Sequence, residues 1–324
     1  MQPVLNAGAL VLGIAILYWG AEWLVRGTAG VARALGVAPL VVGLTVVAYG
    51  NSAPELAVAT KTALAGHPPI ALGTVIGSCA ANIALVLGLP ALIRPIAVDS
   101  RVIRRELPVL VGSAIVVPVL FRNGVLSQFE GVFLVACAVV FTIATIVVAA
   151  RLEPDDPANP GDAHAEQLAG RGRPTASKVL ALAMTVVGLG LLVLGSSLFV
   201  RGGRGIAQQL GMSERMLGLT IMALGCALPE LMASVVAAVR GQNALAIGSV
   251  IGANLLNVFL VLGVTACFQP IRLGERMHLI DLVGLVAITL LGVLMLRGGR
   301  RISRVEGAIL VLAYLAFLVC AALL

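Results

Sequence analysis

The stretch that decides the fold is VVGLTVVAYGNSAPELAVATKTALAG, residues 41–66. It is apolar enough to lie in a membrane, yet its middle carries the polar run GNSAPE, residues 50–55. A carboxylate inside a membrane segment is costly and by default indicates a functional site. Proline has no backbone N–H and disfavours the helical conformation of the residue before it. We therefore predict that the helix breaks around residues 49–54 and restarts with Pro54 in its first turn.

The composition of the whole chain is that of a membrane protein. Of its 324 residues, 60% are hydrophobic and only 11% are charged, and the mean hydropathy is +1.06. Soluble domains carry about 25% charged residues, so a soluble α/β or β-sandwich fold is excluded. Crossing a bilayer takes roughly 20 apolar residues. Ten candidate segments occur, at 7–25, 37–65, 70–93, 107–121, 129–150, 177–200, 216–239, 244–267, 278–296 and 304–323.

The basic residues predict how these segments are oriented. If the connecting loops are assigned alternately to two sides, one side receives 15 Lys and Arg residues and the other receives 6. Because the side richer in basic residues faces the cytoplasm, we expect both termini outside and the polar stretch 151–176 in the cytoplasm. The net charge of +7 is thereby explained by orientation signals, and no nucleic-acid partner is expected. We predict a multi-pass protein of the inner (plasma) membrane that functions as a monomer.

The two halves of the chain are repeats of each other. A shift of 175 residues aligns residues 43–88 with residues 218–263, with 20 identities in 46 positions and no gap. The matches include prolines, glutamates, asparagines and glycines, which apolar composition alone would not align. The fold class predicted is therefore all-α, with ten transmembrane helices arranged as two five-helix repeats, 1–150 and 177–324. Because five is an odd number, the repeats must be inverted, which is the plan of secondary transporters with a site near the midplane.

The repeat brings two carboxylates to equivalent positions, at Glu55 and Glu230. Carbonyls freed at a helix break must line a protein cavity rather than face lipid. We therefore predict a site of charge −2 with amide and hydroxyl neighbours, which come from Asn51, Ser52, Ser78, Asn82 and Asn257. Hard oxygen ligands of this kind suit Ca²⁺ or Na⁺. No resident cofactor is expected, and the five cysteines, which form no CxxC pair, are expected to be free thiols.

These motifs resemble those of the calcium/cation antiporter superfamily, in its bacterial and archaeal sodium/calcium exchanger branch. The family pattern is G-(T/S/N)-S-x-P-E followed by G-S-N-x-x-N/D, and this chain has GNSAPE with GSCAAN, and GCALPE with GANLLN. The resemblance implies exchange of Ca²⁺ for Na⁺ by alternating access, with Glu55 and Glu230 as shared ion ligands. It also implies carbonyl ligands at Ala48 and Ala223, and a sliding gate made of the first and sixth spans.

The chain departs from the family pattern mainly in its second repeat. Cys226 and Ala227 supply no hydroxyl before the second Pro-Glu pair, and Ala253 stands where the first repeat has Ser78. The resemblance assigns such hydroxyls to sodium coordination, so Ca²⁺ transport is predicted more firmly than sodium coupling. The last amide is Asn257 rather than Asp, as in potassium-independent members, and a Gly-Asn pair before the first Glu is similar to proton-coupled exchangers.

Several alternatives remain open on the sequence alone. The counter-ion can be Na⁺ or H⁺, and the transported ion can be another divalent such as Mn²⁺. A cation channel would use the same ligands but fits poorly with inverted repeats, and an intramembrane hydrolase would need a nucleophile or paired-Asp motif that is not found. Glu22, between Trp19 and Trp23, is interpreted as part of an interfacial anchor.

Overall fold

The computed structural model describes most of the chain and shows it to be almost entirely helical. The described residues are 2–66, 68–98, 102–151, 178–209, 223–273, 279–299 and 301–323. The predicted linker 151–176 lies outside them except for Arg151.

Helices follow one another along both halves, with short π-helical turns inside several of them. In the first half they are α1 (Gln2–Leu35), α2 (Pro39–Val42), α3 (Ala48–Leu64), α4 (Pro68–Ala81), α5 (Leu87–Ile93), α6 (Leu107–Leu120) and α7 (Gln128–Arg151). In the second half they are α8 (Lys178–Gln209), α9 (Ala223–Val239), α10 (Asn243–Leu256), α11 (Gly263–Phe268), α12 (Leu279–Gly298) and α13 (Arg304–Leu323). The π-helical turns are Gly43–Val47 between α2 and α3, Asn82–Val86 between α4 and α5, Val102–Glu106 before α6, and Asn257–Leu262 between α10 and α11.

A helix occupies each of the ten predicted segments as far as the described residues extend. Among the residues that the structure describes, seven helices are long and apolar enough to cross a membrane, and a shorter apolar one covers Ala227–Val239. The molecule is thus a nearly all-helical protein with several potential membrane spans. α1 and α8 have 34 and 32 residues, and at 1.5 Å per residue each is roughly 50 Å long. They exceed the thickness of a bilayer.

The predicted helix break at residues 49–54 is wrong. α3 runs without interruption from Ala48 to Leu64, through Pro54. The irregular backbone lies earlier, in the π-helical turn Gly43–Val47. Proline removes one hydrogen bond and its ring crowds the carbonyl four residues back, but membrane helices tolerate it when neighbouring groups satisfy the freed carbonyl. A widened turn also inserts one residue without breaking the helix.

α9 shows how a freed carbonyl is satisfied. Pro229 lies inside this helix, so it cannot donate a hydrogen bond to the carbonyl of Gly225. Instead the hydroxyl of Ser196, on α8, donates to that carbonyl. The proline is accommodated because a neighbouring helix supplies the missing donor.

Two helical stretches form the interior of the molecule. In the most apolar part of each span, buried residues make up 94% for residues 243–268 and 78% for residues 71–93. The corresponding share is only 22% for residues 128–148. A helix that is apolar on all sides is suited to a buried position. The two buried stretches are repeat equivalents, so the interior is built around the internal symmetry.

The connections are held by two short antiparallel ladders. β1 (Ile96–Ala97) pairs with β4 (Arg301–Ile302), and β2 (Val125–Leu126) pairs with β3 (Ile271–Arg272). Each ladder joins loops that the charge count had assigned to the same side of the membrane. The sorting of these loops into two faces agrees with that prediction.

Matching helix starts also follow the repeat. The backbone N–H and hydroxyl of Ser127 both donate to Glu130 at the start of α7, at 2.7 and 2.8 Å. Ser303 and Glu306 make the same contacts at the start of α13, both at 2.7 Å. These are capping boxes, in which a Ser and a Glu three residues later satisfy the first free N–H groups of a helix.

α1 and α8 cross along a seam of glycines, which we call the glycine seam. A Cβ on Gly20 would lie 2.9 Å from the backbone N of Leu192, and one on Gly188 would lie 2.5 Å from the N of Leu24. The members are spaced seven residues apart in both helices: Gly13, Gly20 and Gly27 on α1, and Gly188, Gly195 and Gly202 on α8. Small residues let membrane helices approach closely and pack backbone against backbone. α1 and α8 therefore form one tightly packed pair.

Candidate functional site: a buried pair of glutamates

The two motif glutamates lie at equivalent positions of α3 and α9 and are buried. Glu55 is 4% exposed and Glu230 is 1% exposed. The charge of Glu55 acts on the Glu230 carboxyl group, so the two carboxylates are near neighbours. The structure therefore brings together the side chains that the repeat had placed in separate halves of the sequence.

The amides expected at the site lie where two helices widen. Asn82 and Asn257 are both fully buried, and each is the first residue of a π-helical turn. Such a turn is often found at functional sites. Ser78 and Asn257 both lie beside the Glu55 carboxylate, but neither makes a hydrogen bond to it. Side chains of both repeats thus surround Glu55.

The remaining side chains of the predicted set are also buried. Asn51 is 4% exposed, Ser52 is 1% exposed and Ser78 is 5% exposed. Ala48 is fully buried and begins α3, directly after a π-helical turn. Ala223 begins α9, but its side chain and that of Cys226 lie outside what the structure describes.

Most polar side-chain atoms of this cluster have no hydrogen-bond partner within the described part of the chain. Both carboxylate oxygens of each glutamate are buried without a hydrogen bond, as are the hydroxyl of Ser52 and the amides of Asn51, Asn82 and Asn257. Burying polar groups without partners is costly, and each such group in a native protein needs an explanation. A cation bound among these oxygens would satisfy them. Within the part of the chain that the structure describes, the neighbours that act on the two glutamates include no basic side chain.

The donor set favours a hard cation. It consists of carboxylates, amide oxygens and hydroxyls, which are the ligands that Ca²⁺ and Na⁺ take. Among the described residues, no three His, Cys, Asp or Glu side chains come together as a transition-metal cluster. One thiol lies close by: Cys79 is 2% exposed and lies near the Glu55 charge, with its sulfur 3.9 Å from the carbonyl of Asn254.

The positions that lack hydroxyls in the second repeat are in the packed interior. Ala227 is 2% exposed and Ala253 is fully buried. The fold thus puts methyl groups at places where the first repeat has Ser52 and Ser78. These two positions of the second repeat therefore contribute no hydroxyl group.

Two features of the molecule were missed by the sequence interpretation. Glu22 is not part of an interfacial anchor: it is only 5% exposed and forms ion pairs with Arg26 and Arg240. Its spacing of four residues from Arg26 was a signal for a pair on one helix face. The glycine seam was also missed, although its seven-residue spacing is visible in both halves of the sequence.

Known proteins resemble this chain over almost its whole length. The family model described as sodium/calcium exchanger protein matches residues 5–147 and 180–323. CaxA of Alkalimonas amylolytica is 37% identical over 311 residues, covering 95% of this chain and 96% of the relative. YrbG, an inner membrane protein of Escherichia coli strain K12, is 34% identical over 269 residues, covering 82% of this chain and 81% of the relative.

A solved structure agrees as well. The sodium-calcium exchanger NCX_Mj, soaked without Na⁺ and Ca²⁺, superimposes with a TM-score of 0.82 at 31% identity, covering 99% of each chain. The family match over both halves and the similarity to whole relatives lead to the same conclusion. This chain is a member of the sodium/calcium exchanger protein family, a family of membrane antiporters.

Proposed function

We propose that the protein is a secondary-active antiporter that moves Ca²⁺ across the membrane by alternating access, in exchange for Na⁺ or H⁺. One observation carries this proposal: two buried glutamates from opposite repeats interact electrostatically, and none of their oxygens has a hydrogen-bond partner in the described residues. A divalent cation would balance the charge of both carboxylates.

The ion would be held by residues of both repeats. The carboxylates of Glu55 and Glu230 supply the fixed charge. Amide and hydroxyl oxygens complete the shell, and the backbone carbonyls at the start of α3 and α9 add further ligands. This set comprises Asn51, Ser52, Ser78, Asn82 and Asn257 as side chains, and Ala48 and Ala223 as carbonyls.

Alternating access requires a symmetric frame, and several observations support one. The family model matches each half of the chain, which fits two five-helix repeats, residues 1–150 and 177–324, joined by a linker at 151–176. The capping boxes of α7 and α13 are repeat equivalents. Two glycine contacts are also equivalent, because Gly88 lies against Gly307 and Gly131 against Gly263. Ten spans in two inverted repeats account for these pairs.

The moving part would be the α1–α8 pair. The glycine seam binds these two helices to each other through their backbones, so they would shift as one body across the buried site. Displacing the pair would expose the site first to one side of the membrane and then to the other.

The orientation follows from the basic residues. The arginine-rich face would be cytoplasmic, with the linker on that side and both termini outside. This fits an inner-membrane protein, as YrbG is named. One chain contains both halves of the site, so a monomer would suffice for transport.

Coupling to Na⁺ is expected to be weak. Sodium prefers several neutral oxygen ligands, and the second repeat has lost them at Cys226, Ala227 and Ala253. Calcium depends more on the two carboxylates, which are intact. Protons, or fewer sodium ions than the site could otherwise hold, would then drive the exchange.

The deciding experiment is uptake of radioactive calcium into proteoliposomes under an outward Na⁺ gradient or an outward H⁺ gradient. We expect uptake under at least one gradient and a larger response to H⁺. Uptake that needs no counter-ion gradient and follows the membrane potential alone would indicate a channel instead. Manganese, offered in competition, tests the choice of divalent ion.

A gain-of-function variant tests the coupling argument. Restoring hydroxyls by Cys226→Thr, Ala227→Ser and Ala253→Ser should steepen the dependence of calcium efflux on sodium. Ala253→Val is the matched control, because it adds volume at a fully buried position without adding a hydroxyl oxygen. The Hill coefficient cannot exceed the number of binding sites, so a coefficient above about 2 means that several sodium ions bind. If the unaltered protein already shows such steep activation by sodium, the argument is contradicted.

A further inference from the structure

A partly buried ion pair ties the α1–α8 pair to the rest of the molecule at its arginine-rich end. Glu22 lies on α1, and Arg240 directly follows α9. The Nε of Arg240 donates to Oε2 of Glu22 at 2.8 Å, and its Nη2 donates to the other oxygen, Oε1. A bidentate guanidinium–carboxylate pair is among the stronger and more directional contacts of a protein.

The contact with Arg240 joins two separate parts, whereas the second ion pair of Glu22 does not. Arg26 Nη2 lies 2.5 Å from Oε1 of Glu22, but it belongs to the same helix and moves with it. Arg240 is on the other side of the interface. Beside it, Arg94 donates to the carbonyl of Val239 at 3.3 Å, which ties the end of α9 to the loop after α5. A shift of α1 would therefore break the Arg240 contact and keep the Arg26 contact.

At the opposite face, the two positions that are repeat equivalents of this pair carry no charge. The 175-residue repeat places Ser197 at the position of Glu22 and Ala65 at that of Arg240. Neither side chain is charged, and the hydroxyl of Ser197 donates to Val193 on its own helix at 2.8 Å. The internal symmetry that relates the two faces is broken at this one contact.

We propose that Glu22 and Arg240 form an ionic latch that holds the arginine-rich face closed, so that this face opens only when the pair separates. The proposal rests on the proposed function, because it concerns a gate of the same transport cycle. It makes the cycle asymmetric: the state closed at the arginine-rich face is stabilised by this ion pair, and the repeat-equivalent contact at the other face, between Ser197 and Ala65, cannot form one.

The burial of the pair sets the size of the effect. The side chain of Glu22 is 6% exposed and that of Arg240 is 36% exposed. The burial of the latch is therefore intermediate between that of an exposed ion pair, which contributes little stability, and that of a fully buried one. Because Glu22 keeps Arg26 in either state, losing Arg240 does not leave a bare buried charge. We expect a change of about fivefold in the ratio of the two states, which is the upper end of what an exposed pair contributes. The apparent affinity for an ion depends on the fraction of molecules that can bind it from that side.

Sided flux measurements give the first test. With Arg240→Gln, the concentration of Ca²⁺ that half-saturates transport from the arginine-rich face should fall by up to about fivefold. From the opposite face it should stay the same or rise. Glu22→Gln should have the same effect, and the double variant should add nothing to either single change. Arg33→Gln, which removes an exposed charge from the same helix, is the matched control and should change neither side.

Distance measurements give a second test that does not depend on transport. Pairs of spin labels on a cysteine-free background would report each face: Leu35 with Val239 for the arginine-rich face, and Arg204 with Leu64 for the other. In Arg240→Gln, a longer distance should appear for the first pair and not for the second. Unchanged distances would overturn the latch even if calcium transport is shown. Equal loosening at both faces would also overturn it, because that would mark a merely structural ion pair. If the distances change as expected but the protein transports no calcium, the proposed function is overturned and the latch stays in place.

Discussion

Replacing one buried glutamate by its neutral isostere is the sharpest test of the site. In Glu230→Gln the side chain keeps its size but the site loses half of its fixed charge. Removing one partner from a buried, paired charge costs about 3–5 kcal/mol, which is roughly a 10²- to 4 × 10³-fold loss of affinity at 1.4 kcal/mol per tenfold. Calcium flux at micromolar concentrations should therefore fall below detection. Glu55→Gln should behave in the same way.

The assay needs a folding control and a matched variant. Glu230→Gln also removes the repulsion between two buried carboxylates, so its thermal unfolding temperature should stay the same or rise. Glu306→Gln makes the same chemical change at the start of α13, where Gln still completes the capping box, and it should transport normally. If either site variant, expressed and folded normally, kept wild-type calcium flux, the shared-site reasoning would be refuted.

Three further predictions concern the same structure. Acidification should lower calcium flux at clamped gradients, because protons compete with the cation for both carboxylates. Burial can place the titration of a carboxyl group between about pH 5.5 and pH 8, so a calcium flux that stays flat over this range would contradict the prediction. Ser196→Ala should lower stability by about 1–3 kcal/mol in thermal unfolding, because the carbonyl of Gly225 loses its donor, whereas Ser197→Ala, with an exposed hydroxyl, should not. Gly20→Ala should separate the α1–α8 pair and slow transport, because its Cβ would lie 2.9 Å from a backbone nitrogen. In Gly8→Ala the added Cβ meets nothing within 4 Å, so this control variant should transport at the normal rate.

The positions of the helices could be predicted from the sequence, and the sequence also pointed to the residues that we propose as ligands. Apolar segments long enough for a membrane appear directly in the composition, and the repeat is a comparison of the chain with itself. The repeat also placed Glu55 and Glu230 at equivalent positions, and inversion implied that they would meet. Their burial and mutual interaction in the structure follow from that symmetry. No knowledge of packing was needed for these steps.

The course of the backbone around the prolines was decided by the tertiary structure. Sequence rules predicted a break at residues 49–54, but a proline is tolerated when a neighbour satisfies the freed carbonyl. Whether such a neighbour exists depends on a residue far away in the chain, as Ser196 is from Gly225. The structure instead widens the helix at Gly43–Val47, a position that no local pattern marks.

The partner of Glu22 could be found only in the folded molecule. Its sequence neighbours Trp19 and Trp23 indicated a membrane interface, and those rings are indeed 58% and 40% exposed. The carboxylate, however, points inward to Arg240, which is 218 residues away in the chain. A sequence determines which segments are apolar and which charges are costly to bury. Only packing determines which distant charge comes close enough to make that burial stable, because an ion pair across 218 residues leaves no local periodicity.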